Sequence, residues 1–401
     1  MVDRSAIHSS LTRLDAWVTQ SDWKAYDTFD GLSSPYAVLL HRNNPFLKQV
    51  WQQAVRRFPI NLRPLLRIRP GMSTKAMGFF AQGFLRLYQT YGDQEHLEKM
   101  KSCLQWLIDN RSPGFQGYCW GNHFDYQSRG GNIPKGTPTI VWTGLIGQAF
   151  LDAYEFNHDE QDLTVAKSAC EFIVKELGWM EMEDGILLRY YPDSKNVIHN
   201  ASMLGASLLA RVNSISADLR YLEVAEKAVR FTVRHRTAEG AWYYGVGDQW
   251  AWIDSFHTAY VLESLFIFCR STGLTKYESA LRKGYRYFVE TFFLSDGTPR
   301  YYAQKTLPID IQCASQAIQT LVNLRELHPD SIPTATKVAD WTIANMQDKT
   351  GYFYYRKYPL MINKTPTLHW GQATMFAALA ALDEHLHSVQ RPAGLEACSL
   401  V

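Results

Sequence analysis

The feature that most constrains this chain is that it repeats itself. The turns ending in Gly185, Gly240, Gly297 and Gly351 follow one another at 55, 57 and 54 residues. Soon after each comes a tyrosine pair: Tyr190-Tyr191, Tyr243-Tyr244, Tyr301-Tyr302 and Tyr354-Tyr355. A looser copy contains Gly114, Tyr118 and Trp120. A period of this size marks one supersecondary unit that cannot bury its apolar face alone and must stack on its neighbours.

Two kinds of helical segment alternate with the turns. One kind is apolar or small nearly all round, as in "TPTIVWTGLIGQAFLDAYE" and "HWGQATMFAALAALDEH", and predicts helices buried on both sides. The other kind has a charged face. In "QEHLEKMKSCLQWLIDN", Leu97, Met100, Leu104 and Leu107 make a single apolar stripe. Six inner helices closing into a ring, with outer helices around them, satisfy this alternation. The expected fold is an all-α (α/α)6 toroid spanning 73–390, preceded by N-terminal helices in 1–72 and followed by a tail, 391–401. The phrases "TPTIVW" and "TPTLHW", at 137–142 and 365–370, then lead into the second and sixth inner helices. Thr-Pro-Thr suits a helix start, because Pro fixes φ without wasting an N–H and Thr can cap.

Composition narrows the function classes. The net charge is +2, so no basic stripe points to nucleic acid. No apolar run is long enough for a membrane span, and "MVDRSAIHSSLTRLDAW" lacks the apolar core of a secretory signal. Six scattered cysteines without a CxxC pair predict reduced thiols in a cytoplasmic protein, with no metal or other cofactor.

The toroid gathers the turn-to-helix loops at one end. There it predicts Trp120, Trp142, Arg189, Tyr190, Tyr191, Asn200, Tyr243, Tyr244, Trp250, Arg300, Tyr301, Tyr302, Gln312, Tyr355, Arg356, His369, Trp370 and Gln372 as substrate-binding residues. A concave site lined by aromatics and rimmed by polar groups suits a saccharide: pyranose faces stack on rings and hydroxyls need partners. Basic residues beside most tyrosine pairs suggest an anionic substrate, such as one containing uronate.

Asp254 and Asp310 fall at the same point of adjacent repeats, each in an Ile-Asp step. They read either as helix N-caps or as the acid and base of a glycoside hydrolase, about 6.5–9.5 Å apart. Asp125 is the substitute for either. His199 and His257, with Asn200, His369 and the tyrosines, would instead serve a lyase or a C5-epimerase, which removes the proton α to a uronate carboxylate.

The repeat architecture, inner-helix composition and loop-end aromatics resemble the six-hairpin, (α/α)6-toroid superfamily of carbohydrate-active enzymes. That resemblance implies hydrolase, lyase or epimerase activity. The loops carry no counterpart of the paired histidine motifs of N-acylglucosamine 2-epimerases and no unsaturated-uronyl hydrolase signature. "QDKTGYF" is similar to the Q-x3-G-x-W element of terpenoid cyclases and prenyltransferases, but the chain has no Asp-Asp step to serve that chemistry. A non-catalytic glycan-binding toroid is the remaining alternative.

Overall fold

The computed structural model describes residues 4–41 and 43–390. Cys398 and the expected tail, 391–401, lie outside them. Six inner helices, α4 (Thr74–Tyr91), α6 (Ile140–Asn157), α8 (His199–Ser216), α10 (Ser255–Thr272), α12 (Ile311–Asn323) and α14 (Thr374–Gln390), pack each on the next. α14 returns to α4, so the ring closes. Small residues permit the close approach. A Cβ at Gly83 would lie 2.5 Å from Phe376, and one at Gly144 3.0 Å from the Leu204 carbonyl.

Outside the ring stand α5 (Gln94–Asp109), α7 (Glu160–Glu171), α9 (Leu219–Arg234), α11 (Glu278–Thr291) and α13 (Ser331–Met346). The sixth outer position is taken by α1 (Arg4–Gln20), which packs on both α13 and α14. Sequence placed this segment in an N-terminal layer before the toroid. Arg4 donates to buried Asp383 at 3.1 Å, and Ser10 donates to Gln347 at 2.9 Å. Gln347 also donates to the Gly351 carbonyl at 2.8 Å, so the cyclase-like "QDKTG" element here locks a turn.

The turn glycines explain the period. Each has positive φ, and a Cβ there would strike the outer helix of the next unit. At Gly297 it would meet the Lys337 carbonyl of α13 at 2.3 Å, and at Gly351 the Arg13 carbonyl of α1 at 2.2 Å. Only glycine fits both the backbone conformation and the space.

The tyrosine pairs have a backbone role as well as rings. The first N–H groups of α6, α8, α10 and α12 donate to the carbonyls of Tyr190, Tyr244, Tyr301 and Tyr355 at 3.0–3.1 Å. Each pair thus satisfies an orphan donor of the preceding inner helix. Leu368 N–H donates likewise to Tyr26 O at 2.8 Å, so the N-terminal stretch caps the last inner unit in the same way. The two Thr-Pro-Thr phrases diverge at this level. Thr139 caps α6 through Trp142 N–H (3.3 Å), whereas Thr367 makes no side-chain cap and a π-helical turn, Leu368–Ala373, precedes α14. No helix among the described residues is long and apolar enough to cross a membrane.

Candidate functional site

The loop end of the ring holds a cavity of about 610 Å³. Its aromatic walls are Tyr190, Tyr244, Trp250, Trp252, Phe256, Tyr260, Tyr301, Tyr302, Tyr355 and Trp370, with Asn200, Gln312, His257 and Asp310 among them. A recess of about 50 Å³, lined by Asn122, Thr139, Trp142 and His369, shares Phe29, Tyr126, Tyr190 and Trp370 with the cavity. Asn200 Oδ1, Asn122 Oδ1, Trp142 Nε1 and His369 Nε2 are buried without a hydrogen-bond partner among the described residues. Buried polar atoms left unpaired cost on the order of 1–3 kcal/mol each, so a ligand that pairs them recovers that cost.

Burial raises the hydroxyl pKa values of Tyr190, Tyr244, Tyr260 and Tyr301. At neutral pH these phenols are hydrogen-bond donors and ring surfaces, not bases.

Both aspartates of the Ile-Asp steps are N-caps. Asp254 accepts from His257 N–H at 2.9 Å through one oxygen; its other faces His257 Nδ1 at 2.7 Å and accepts from Trp252 Nε1 at 2.9 Å. It stands behind His257, which lines the cavity. Asp310 caps α12 through Gln312 N–H at 3.1 Å and accepts from Arg356 Nε and Nη2 at 3.0 and 2.6 Å. It lines the cavity, but its charge is committed to Arg356, which is buried beside it.

A second carboxylate–imidazole pair lies across the aromatic wall. His369 Nδ1 contacts Asp27, and both side chains are 1% exposed. Asp27 follows Tyr26, the residue that caps the start of the last inner helix. Its loop is pinned by Arg63, which donates to Asp30 at 2.7 Å and to the Asp27 carbonyl at 2.6 Å. Burial outweighs Asp27 and lowers the pKa of His369, so the ring is a neutral base at pH 7. Burial opposes ionisation of Asp27, but His369, His123 and the Phe29 N–H together hold the carboxyl below its usual range. A chain of ring contacts joins the two histidines: His257 to Phe256 at 3.9 Å, Phe256 to Trp370 at 6.3 Å, and Trp370 to His369 at 4.7 Å. With each Nδ1–H on a carboxylate, each Nε2 carries the free lone pair.

Several expected residues stand elsewhere. Asp125 is exposed on a hairpin and accepts from Lys135 N–H at 2.8 Å. His199 is buried between α8 and α9, 3.4 Å from the Thr232 hydroxyl, and burial pushes its pKa down to about 3. Trp120 is core, donating to the Leu107 carbonyl at 2.8 Å and stacking on Phe150. Gln372 spans both main-chain groups of Phe353 at 2.7 and 2.8 Å. Arg189 and Arg300 donate to nearby carbonyls, Tyr191 holds the Gly130 carbonyl at 3.2 Å, and Tyr243 is exposed. Tyr243 apart, a local structural contact uses the polar group that sequence had assigned to the site.

Sequence reading missed Arg56. It comes from α3 (Pro45–Arg57), donates to the Tyr355 hydroxyl at 2.8 Å and lies 4.5 Å over the Phe29 ring. It lines the cavity with no carboxylate within ion-pair distance among the described residues, and Arg57 and Arg129 stand at the same wall. No repeat signal marks α3, so spacing could not have found it.

No protein-family model and no curated protein sequence matches this chain. Solved structures do. A cellobiose 2-epimerase from Bacillus thermoamylovorans superposes with TM-score 0.59 at 12% identity, covering 77% of this chain and 87% of that one. A GH76 α-mannanase from Bacteroides thetaiotaomicron does so with TM-score 0.59 at 14%, covering 80% and 88%. An unsaturated glucuronyl hydrolase specific for heparin gives TM-score 0.57 at 12%, covering 78% and 86%. At these identities the likeness is one of fold alone, the helical (α/α)6 toroid.

Proposed function

We propose that the chain is a saccharide-active enzyme that moves a proton at the carbon beside the carbonyl of an open-chain sugar, as a sugar epimerase or isomerase. The observation that carries this reading is the pair of imidazoles, His257 and His369, each backed at Nδ1 by a buried aspartate and joined through one aromatic wall. Such chemistry needs one group to take the proton and another to return it.

In the proposed step His369, neutral at pH 7, accepts the proton at Nε2. The C–H pair moves into the bond to the carbonyl carbon, and the carbonyl oxygen takes the charge. His257, once its Nε2 has taken a proton from solvent, returns it to the same carbon from the other side, and His369 gives its own back to solvent. For isomerisation the proton goes to the former carbonyl carbon, and the hydroxyl of the first carbon becomes the carbonyl as its proton passes to the enediolate oxygen. Asp27 and Asp254 steady each ring while it is charged and fix its tautomer. Asn200, Trp142 and the tyrosine hydroxyls supply hydrogen bonds to sugar oxygens, and the aromatic walls take the ring faces. Arg56, without a carboxylate of its own, supports a substrate with a carboxylate or other anionic group. The cellobiose 2-epimerase and the heparin-specific unsaturated glucuronyl hydrolase among the fold neighbours are compatible with that class.

Hydrolysis is the second reading, because Asp310 does line the cavity. A panel of neutral and uronate-containing saccharides separates the two. The expected result is a sugar altered at one centre, with no new reducing ends and no ultraviolet absorbance from an unsaturated uronate. New reducing ends that disappear in Asp310→Asn would make the chain a hydrolase. Absorbance would make it a lyase.

A further inference from the structure

The near-neutral total charge conceals a local asymmetry. Between Gly31 and Gly92 the sequence holds no Asp or Glu, although the whole chain has 39 of them. The same region carries an unusual open apolar surface. Ten of the 18 exposed large apolar side chains among the described residues lie between Tyr36 and Leu65. Leu39 is 74% exposed, Phe46 70%, Ile60 69% and Leu65 76%.

α3 explains how this surface relates to the cavity. Gln52 and Val55 face inward and are buried. Gln49, Gln53 and Arg56, at helical spacing, face the cavity. Phe46, Leu47 and Val50 are left open to solvent. α2 (Ala37–His41) adds Val38, Leu39 and Leu40, all exposed. Around these stand Arg57, Arg67 and Arg69, exposed, with Lys48 half-buried. None of these four has an acidic partner within ion-pair distance among the described residues. Apolar side chains that large, scattered singly, need no explanation, but a cluster of them marks an interaction site. A face of large apolar side chains fringed by arginine and lysine, with no acidic residue, matches an anionic bilayer surface: apolar groups enter the acyl boundary while cations meet the headgroups.

We propose that the α2–α3 face is a docking surface for anionic lipid membranes, with the cavity wall and the docked face provided by the same helix. Charge complementarity selects this occupant over a second copy of the chain, since two copies of an acid-free basic face repel when apposed. The proposal does not depend on the reaction assigned to the cavity.

The test is co-sedimentation of the full chain with phosphatidylcholine vesicles, with and without phosphatidylserine. The expected result is binding to the phosphatidylserine vesicles only, weakened by salt. Phe46→Glu with Leu65→Glu should lower that binding more than tenfold while leaving the thermal melt unchanged, because both side chains are open to solvent. Arg67→Glu with Arg69→Glu, which keeps the apolar surface, should lower it as well. Failure to sediment with either vesicle overturns the proposal. So does equal binding to neutral vesicles. A dimer in light scattering that Phe46→Glu dissociates would instead assign the face to a second copy and also overturn it.

Discussion

His257→Asn should abolish turnover while leaving the fold intact, with kcat lowered about 10²–10⁴-fold, the range of a positioned acid or base. The ring sits on the cavity wall, half-buried, and among the described residues its one polar side-chain bond is to Asp254. Removing it leaves Asp254 still capping α10 and still accepting from Trp252, so no buried charge is stranded. The thermal melt should therefore move little. Asp254→Ala differs in both respects. Alanine there removes the acceptor that fixes the imidazole's tautomer, and it loses the cap of α10 at a cost of roughly 1 kcal/mol. The two variants should thus share a kinetic defect, but only the aspartate variant should melt lower. Steady-state kinetics and circular dichroism melts on the two proteins check this. Full turnover by His257→Asn would remove the histidine from the chemistry.

Asp310→Ala should be the most destabilising single change at the cavity. Asp310 and Arg356 are both largely buried, and the arginine gives two hydrogen bonds to one carboxylate oxygen. Breaking a buried pair from one side costs about 3–5 kcal/mol, because the remaining charge is desolvated without compensation. Loss of the α12 cap adds roughly 1 kcal/mol. At a few degrees per kcal/mol the melt should fall by on the order of 10 °C. Asp310→Ala combined with Arg356→Met should recover a large part of this, since no charge is then stranded. A single variant that melts with the wild type would show the carboxylate free of structural duty and return it to the list of catalytic groups.

Much of the architecture was legible because the constraints that produce it are local and repeated. Gly297 and Gly351 must pass against the next outer helix, and Tyr190, Tyr244, Tyr301 and Tyr355 must cap the previous inner one. Both demands leave marks at a fixed spacing. Cavity residues such as Tyr244, Trp250, Tyr301 and Trp370 rode on the same marks. The site's polar logic was less legible. Asp254 is a cap by position in any helix, and only three dimensions show that its other oxygen holds His257. Asp27 and His369 lie at opposite ends of the chain, brought together where the ring closes, so no motif of short range records them. Arg56 belongs to a helix outside the repeat altogether. Trp120, Gln372, Arg189 and Arg300 carried the right chemistry at the loop end, but nearby carbonyls and N–H groups claimed it first.

In the proposed reaction one carbon of the sugar exchanges its proton between His369 and His257. The measurement that bears on it most directly is conversion of a saccharide substrate in D2O, followed by NMR at the carbon next to the carbonyl. Proton transfer through these imidazoles should leave solvent deuterium at that position in the product, with incorporation lost in His369→Asn. Product formed with its original hydrogen still on that carbon would contradict it.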